Sequence, residues 1–507
     1  MFLISYSFFV FVLVLLLVYY LVPGKVQWMV LLSASVLFYL WAGAEWVIFP
    51  LLTVLATWSL AGRIGKLTLI SKEEKKNPQI SEEQRKENAQ KIKQKQRRLL
   101  KAGLFFNFGL LLGLKYLPMD NLVLPLGISY YTFQAMGYLI DVYQRKYLPE
   151  KNPAKTALFI LYFPQLTAGP IGRFVSMKEE LYSGHSFSMH RVKLGVQRVV
   201  WGCFKKLVIA DRMQPVVQAL TGNPQYYDGL YALLGIIGYG MWLYADFSSG
   251  IDIVIGVSQM FGITLAENFN HPYEARSLGE FWRRWHMSLM QWFREYIYFP
   301  VSTSRLSRKV SGWMGRLLGK KKGSKFPAYI ATMTIWLITG VWHGTGGRYI
   351  LWGLANGVII LISQEWTGYC RQKHRTFRFA DAPWYRQVER VRTFLLFCIL
   401  SSLQYFSLGT FLQTGKGMIT RFSMAALGDG RLAEAGLTWP DGLVLLFGFL
   451  LLWGAGVRQK KGSIRKQMES LPCLLQYGMV FGLVLVTLVM GVYGYGYDAK
   501  QFIYNQF

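Results

Sequence analysis

Apolar residues in this chain come in long runs separated by basic loops. A run of about 17 to 25 such residues crosses a bilayer as a helix, because hydrocarbon offers the backbone no hydrogen-bond partner and a helix satisfies its own. The runs predict spans at Phe8–Val22, Trp28–Leu40, Trp46–Ala61, Leu104–Leu117, Leu122–Ile140, Ala157–Ala168, Leu194–Ile209, Tyr231–Phe261, Ala328–Val341, Tyr349–Ile362, Thr393–Phe411, Leu443–Val457 and Leu474–Val492. Some are too short to cross alone. The expected fold is an all-α polytopic integral membrane protein of about twelve transmembrane helices, with re-entrant and interfacial pieces around a central chamber.

Composition agrees. Of 507 residues, 52% are hydrophobic and 16% charged, and the mean hydropathy is +0.25, values that belong to the membrane class. The 56 Lys and Arg against 27 Asp and Glu, a net +29, would suggest a nucleic-acid partner in a soluble protein. Their placement excludes it. They gather in Arg63–Lys101, Arg305–Lys325, Arg371–Arg392 and Arg458–Lys466, between apolar runs. That is the positive-inside pattern, which puts these loops in the cytoplasm against anionic lipid. Met1–Phe9 holds no basic residue, and the first run ends at Pro23-Gly24-Lys25 without a small-residue cleavage signal, so a retained first helix is expected. Cys203, Cys370, Cys398 and Cys473 show no C-x-x-C spacing and read as packing residues, with neither a disulfide framework nor a zinc site suggested.

The chain reads as a single membrane-embedded domain, 1–507: N-terminal helices with a basic cytoplasmic segment to 101, a core over 102–366, and C-terminal helices over 367–507. From Leu124 to about Asn356, Gly, Pro and polar residues interrupt the apolar runs, as in Phe163-Pro164-Gln165 and Ser248-Ser249-Gly250. Breaks in membrane helices are tolerated only where protein or a water-filled cavity satisfies the freed backbone groups, so this block should enclose a cavity. The last three spans, from Thr393, read as ordinary lipid-facing helices. No internal repeat is visible, which counts against a transporter built from inverted repeats.

Two of the six histidines stand beside tryptophans in apolar stretches of that core. His286 lies in Phe281-Trp282-Arg283-Arg284-Trp285-His286, and His343 in Gly340-Val341-Trp342-His343-Gly344. Ionisable groups at such depth are costly and are read as functional by default. Projected on one helix, Trp282–Tyr296 puts Trp282, Trp285, Leu289, Trp292, Phe293 and Tyr296 on one face and Arg283, Arg284, Ser288, Gln291, Arg294 and Glu295 on the other. That is the pattern of an interfacial helix, with His286 at the edge of the aromatic face. His286 on this evidence is either functional or an interfacial residue bonded to a backbone carbonyl. His343 marks the end or break of a buried helix before Gly344-Thr345-Gly346-Gly347, where glycines allow a ligand close. Asp246 and Asp252, inside an apolar run, either relay protons or cap an interruption at Ser248-Ser249-Gly250. Asn268-Phe269-Asn270-His271-Pro272-Tyr273 reads as a turn that places the next helix.

Six strings in order resemble the membrane-bound O-acyltransferase family, in its bacterial branch for alginate O-acetylation and D-alanyl transfer to lipoteichoic acid. They are Leu124–Gln134, Phe163–Arg173, Glu267–Tyr273, Glu280–Leu289, Trp292–Tyr298 and Gly340–Gly344, and the ending Gln501–Phe507 looks like the alginate-type tail. The family's Asp-Phe-Ser-Gly-Tyr-Ser-Asp stands here as Asp246-Phe247-Ser248-Ser249-Gly250-Ile251-Asp252, which keeps both acids and loses a tyrosine. The resemblance implies that His343 and His286 are catalytic, with Trp285, Trp342, Asp246 and Asn268 as candidate substrate contacts and no metal. It also implies a cytoplasmic thioester donor, acetyl-CoA or an acyl carrier, with no bound cofactor. The expected acceptor is a cell-surface polysaccharide, reached through an extracytoplasmic partner protein from a bacterial cytoplasmic membrane. Rival readings are D-alanyl transfer from a carrier protein, a transporter of polysaccharide or acylated carrier, and a non-catalytic acyl conduit.

Overall fold

The computed structural model describes residues 3–116, 125–344, 346–372, 379, 382–494 and 497. The expected tail motif Gln501–Phe507, the start of the Leu122–Ile140 run and Thr345 lie outside them. Among the described residues the fold is helical, and the chain divides into two compact units.

The first unit comprises Met1–Val196 and Val254–Ala266. It opens with α1 (Tyr6–Leu21), α2 (Gln27–Gly43), α3 (Ile48–Lys76), α4 (Glu82–Tyr116) and α5 (Ile128–Tyr143). The basic stretch Arg63–Lys101 is no separate segment; it forms the polar ends of α3 and α4. At 29 residues, α3 is about 44 Å long, against a hydrocarbon layer of about 30 Å, so its Lys72–Lys76 end reaches the polar phase. Gln96 ties the two helices, donating to the Ile64 carbonyl at 3.1 Å and to Thr68 Oγ1 at 2.8 Å. Helix α5 is buried on nearly every side and starts at Gly127, whose φ of +68° and proximity to the Leu166 carbonyl admit no side chain. The expected break near Phe163 is present: α6 (Pro153–Leu161) ends at Tyr162, and α7 (Phe163–Ala168) is buried throughout.

The second unit comprises Gln197–Ile253 and Glu267–Phe507. Helix α8 (Met189–Phe204) runs on through a π-helical turn, Lys205–Ala210. Helix α9 (Leu230–Met260) is continuous, so the interruption expected at Ser248-Ser249-Gly250 does not occur. Small residues there serve close packing instead: a Cβ on Gly202 would lie 2.8 Å from the Ser249 carbonyl oxygen and 2.6 Å from Ile253 Cγ1. The predicted single helix over Trp282–Tyr296 is also corrected. It is two helices, α10 (Leu278–Arg284) and α11 (Met287–Phe293), followed by a π-helical turn, Arg294–Tyr298. Its facial division survives, since the six predicted aromatic and apolar positions are all buried, although Ser288 is buried with them.

Helices α12 (Phe326–His343) and α13 (Gly347–Gln372) form a hairpin closed on glycine. A Cβ on Gly353 would lie 2.3 Å from the Trp336 carbonyl oxygen, and one on Gly340 2.6 Å from that of Tyr349. Helix α14 (Pro383–Ser402) departs from the lipid-facing reading of Thr393–Phe411, because Phe397, Ser401 and Gln404 face an internal cavity. The reading holds for α15 (Trp439–Gln459) and α16 (Cys473–Met490), where only 11% of the apolar window is buried. Leu450, Trp453, Phe481 and Val489 are among their exposed side chains, an apolar surface that suits lipid.

Six helices among the described residues are long and apolar enough to cross a membrane: Gly24–Trp46, which takes in α2, and α3, α4, α9, α15 and α16. With the shorter apolar α1, they mark a multi-pass membrane protein.

Candidate active site

His286 owes its place to a break in the chain. Residues 268–270 run antiparallel to 284–287, with the Asn270 N–H donating to the Arg284 carbonyl at 2.9 Å and the Met287 N–H to that of Asn268 at 3.0 Å. Trp285 is extended, and His286 takes a left-handed conformation, φ 47° and ψ 51°, before α11 begins. For a residue with a Cβ this costs about 1–2 kcal/mol, and the paired segment holds it in place. The turn expected over Asn268–Tyr273 is the partner of that pairing, ending in a left-handed His271 and a short 3-10 turn, Pro272–Glu274. Both Trp285 and His286 are thereby buried.

His343 is the last residue of α12. Its ring stands edge-on between Trp342, at 4.8 Å between centroids, and Trp352 of α13, at 4.6 Å. The glycine-closed hairpin makes that sandwich possible by bringing α13 against α12. A Cβ on Gly344 would lie 2.2 Å from the Tyr349 ring, so the chain leaves the helix over an aromatic face that only glycine admits.

The two histidines line one cavity. Trp282, Trp285, Trp336, Trp352 and Phe397 line it with aromatic rings, and Thr339, Ser401 and Gln404 supply hydroxyl and amide groups. It offers about 30 Å³ to the centre of a water molecule, room for one or two waters. One indole is held by a hydrogen bond as well as packing: Trp282 Nε1 donates to Asn356 Oδ1 at 3.1 Å, and Asn356 Nδ2 in turn donates to the Trp352 backbone carbonyl at 2.9 Å. Burial pushes the His286 imidazole down to about 3, so it is neutral at physiological pH. Phe247 of α9 meets it edge-on at 4.9 Å.

Next to Phe247 stands a buried ionic cluster. Asp246 is fully buried, and its Oδ1 lies 2.7 Å from Lys206 Nζ, which is also 2.7 Å from Asp211 Oδ1. Asp252 pairs with Lys205 at 2.7 Å and with Arg198 at 2.9 Å, and Arg198 reaches Glu267 at 2.5 Å. Lys205 also donates to Ser248 Oγ at 2.7 Å, and Tyr497 donates to Asp211 at 2.8 Å. The two aspartates therefore neither cap a helix break nor line the cavity.

Of the residues singled out in the sequence, His286, His343 and Trp285 line the cavity, Trp342 packs against the His343 ring, and Asp246 sits in the ionic cluster. Asn268 is fully buried beside His286. Sequence reasoning passed over Arg198, Lys205 and Lys206, although three cations inside the apolar run Leu194–Ile209 were a signal that anions must face them. It also passed over Asn356, Ser401 and Gln404, which carry no such mark.

Residues 150–314 match the family described as MBOAT, membrane-bound O-acyltransferase family. The match includes His286 and stops short of His343. The chain is 31% identical over 369 residues to the probable alginate O-acetylase AlgI of Azotobacter vinelandii, covering 68% of this chain and 65% of that protein. It is 29% identical over 300 residues to the peptidoglycan O-acetyltransferase of Helicobacter pylori, covering 52% of this chain and 54% of that protein. Against the teichoic acid D-alanyltransferase of Bacillus subtilis it is 30% identical over 251 residues, 48% of this chain and 60% of that protein. The chain thus spans less than two thirds of the length of each of these relatives.

Proposed function

We propose that this chain, whose residues 150–314 belong to the membrane-bound O-acyltransferase family, moves an acetyl group from a cytoplasmic thioester to a hydroxyl of a cell-surface polysaccharide. The observation that carries the reading is that His286 and His343, far apart in sequence, line one aromatic-walled cavity. The relatives named for O-acetylation and D-alanylation of alginate, peptidoglycan and teichoic acid support the reaction class and the acceptor class.

His343 acts as the general base. As the acceptor oxygen attacks the thioester carbonyl, its proton passes to the imidazole, the tetrahedral intermediate collapses with cleavage of the C–S bond, and the leaving thiolate takes the proton back. Imidazole is the side chain best suited to take up a proton and give it back during such a transfer. His286, neutral through burial, orients the acceptor by receiving a hydrogen bond from a hydroxyl other than the attacking one. The indole walls keep out water that would otherwise hydrolyse the thioester. The donor is acetyl-CoA or an acyl carrier, and an extracytoplasmic partner completes transfer. The protein sits in a bacterial cytoplasmic membrane, the shorter helices adding to the six long spans to make about twelve crossings.

The test is transfer from radiolabelled acetyl-CoA to polymer or partner in membranes holding matched amounts of wild type, His343→Ala and His286→Ala. Labelling by wild type alone is expected. Equal labelling in all three would overturn the assignment. Labelling only from a D-alanyl carrier protein would move the reading to the D-alanyl branch.

A further inference from the structure

Asn268 lies on the segment paired with Arg284–Met287 and is fully buried. Its Oδ1 receives the Ser288 backbone N–H at 3.0 Å and the Ser288 hydroxyl at 2.8 Å, and it lies 3.3 Å from His286 Nδ1. A backbone N–H can only donate, so the atom facing it is the amide oxygen, which fixes the orientation of the carboxamide. An oxygen facing Nδ1 makes Nδ1 the protonated ring nitrogen and leaves the lone pair on Nε2. The Asn268 carbonyl meanwhile receives the Met287 N–H, so one residue holds the turn and the ring together.

We propose that Asn268 is a positioning residue that fixes His286 as the Nδ1–H tautomer, making Nε2 an acceptor for a substrate hydroxyl and not a donor to an oxyanion. The identity of that hydroxyl rests on the acyl-transfer reading; the tautomer does not. A carboxamide suits the task because it accepts without adding charge, and the imidazole stays neutral. A carboxylate at the same place would favour imidazolium and take away the lone pair. Charged groups on the elements packed around the ring are engaged elsewhere: Asp246 with Lys206, Glu267 with Arg198, and Arg284 with Glu280. His343 is the other titratable group lining the cavity.

The decisive experiment is solid-state nitrogen NMR of purified, lipid-reconstituted protein labelled at its histidine rings, without any acyl substrate. The His286 signals are assigned by their loss in His286→Gln. Wild type is expected to show Nδ1 protonated and Nε2 unprotonated, and Asn268→Ala to gain the Nε2–H form. A wild-type Nε2–H ring, or the same tautomer in both proteins, would overturn the proposal. Asn268→Asp keeps the shape and all three donors, so it guards against misfolding. It should move the acid limb of transfer from radiolabelled acetyl-CoA upward by about one to three pH units; an acid limb at the wild-type position would also overturn it. Failure of wild type to transfer acetyl would sink the acetyl reading and leave the NMR result standing.

Discussion

Two buried polar regions of the second unit lie one residue apart on α9, yet they are built on opposite principles. Around Asp246, every acid named has a cation within 2.5–2.9 Å, and these pairs tie α9 to the chain after α8. Around Phe247, polar groups are sparse, set among indoles and open to a cavity. A charge at such depth must be neutralised where it stands, whereas a neutral imidazole can be buried with few partners and still exchange a proton. Ion pairing therefore suits a buried scaffold, and a neutral, buried His286 suits the proposed chemistry.

The comparison breaks most sharply at His343. His343→Ala should lower acyl transfer about 10²–10⁴-fold while moving the thermal midpoint little, both measured on the same reconstituted preparation. A matched loss of stability would place His343 with the scaffold. The ionic cluster should respond in the opposite sense. Lys206→Met leaves Asp246 and Asp211 without their shared cation and should cost about 3–5 kcal/mol, read as a fall in thermal midpoint. Much of that should return in Lys206→Met combined with Asp246→Asn and Asp211→Asn; no recovery would mean that packing, and not charge, holds the region.

A smaller effect is expected at Gly353. The methyl group of Gly353→Ala meets the Trp336 carbonyl and Gly340, and forcing the hairpin open should cost about 1–3 kcal/mol. Because α13 carries Trp352 against His343, transfer should fall along with stability; an unchanged midpoint would show that the helices part freely. The mildest test is pH. In the unfolded chain His286 binds a proton below about 6.5, whereas in the folded protein burial delays this to about 3. Between those values the unfolded state holds more protons, so stability falls as pH drops, by at most about 1.4 kcal/mol per unit. His286→Gln should flatten that part of the profile, and an identical slope in both proteins would contradict a neutral, buried His286.

Much of the candidate site was legible without coordinates. His286 and His343 stood out because an ionisable residue beside tryptophans in an apolar run has few structural uses. The buried aromatic face of Trp282–Phe293 followed from helical spacing even though the helix itself is broken. The break was not legible, because it depends on pairing with residues 268–270, a contact that local spacing does not encode. For the same reason Ser248-Ser249-Gly250 was misread: small residues mark either an interruption or a close helix neighbour, and only the position of Gly202 decides between them.

Amino-acid order alone was enough to establish a helical, multi-pass membrane protein, the exposed apolar surface of two of the three C-terminal spans it read as lipid-facing, and the two histidines worth testing. Those follow from hydropathy and from the cost of burying a charge, which act on each residue where it stands. Tertiary structure alone decided that His286 and His343 share one cavity, that α14 closes part of it, that Asp246 and Asp252 answer Lys206, Lys205 and Arg198, and that Asn268 faces His286. Each of these is a contact between residues distant in the chain, and its energy depends on geometry that no local pattern carries.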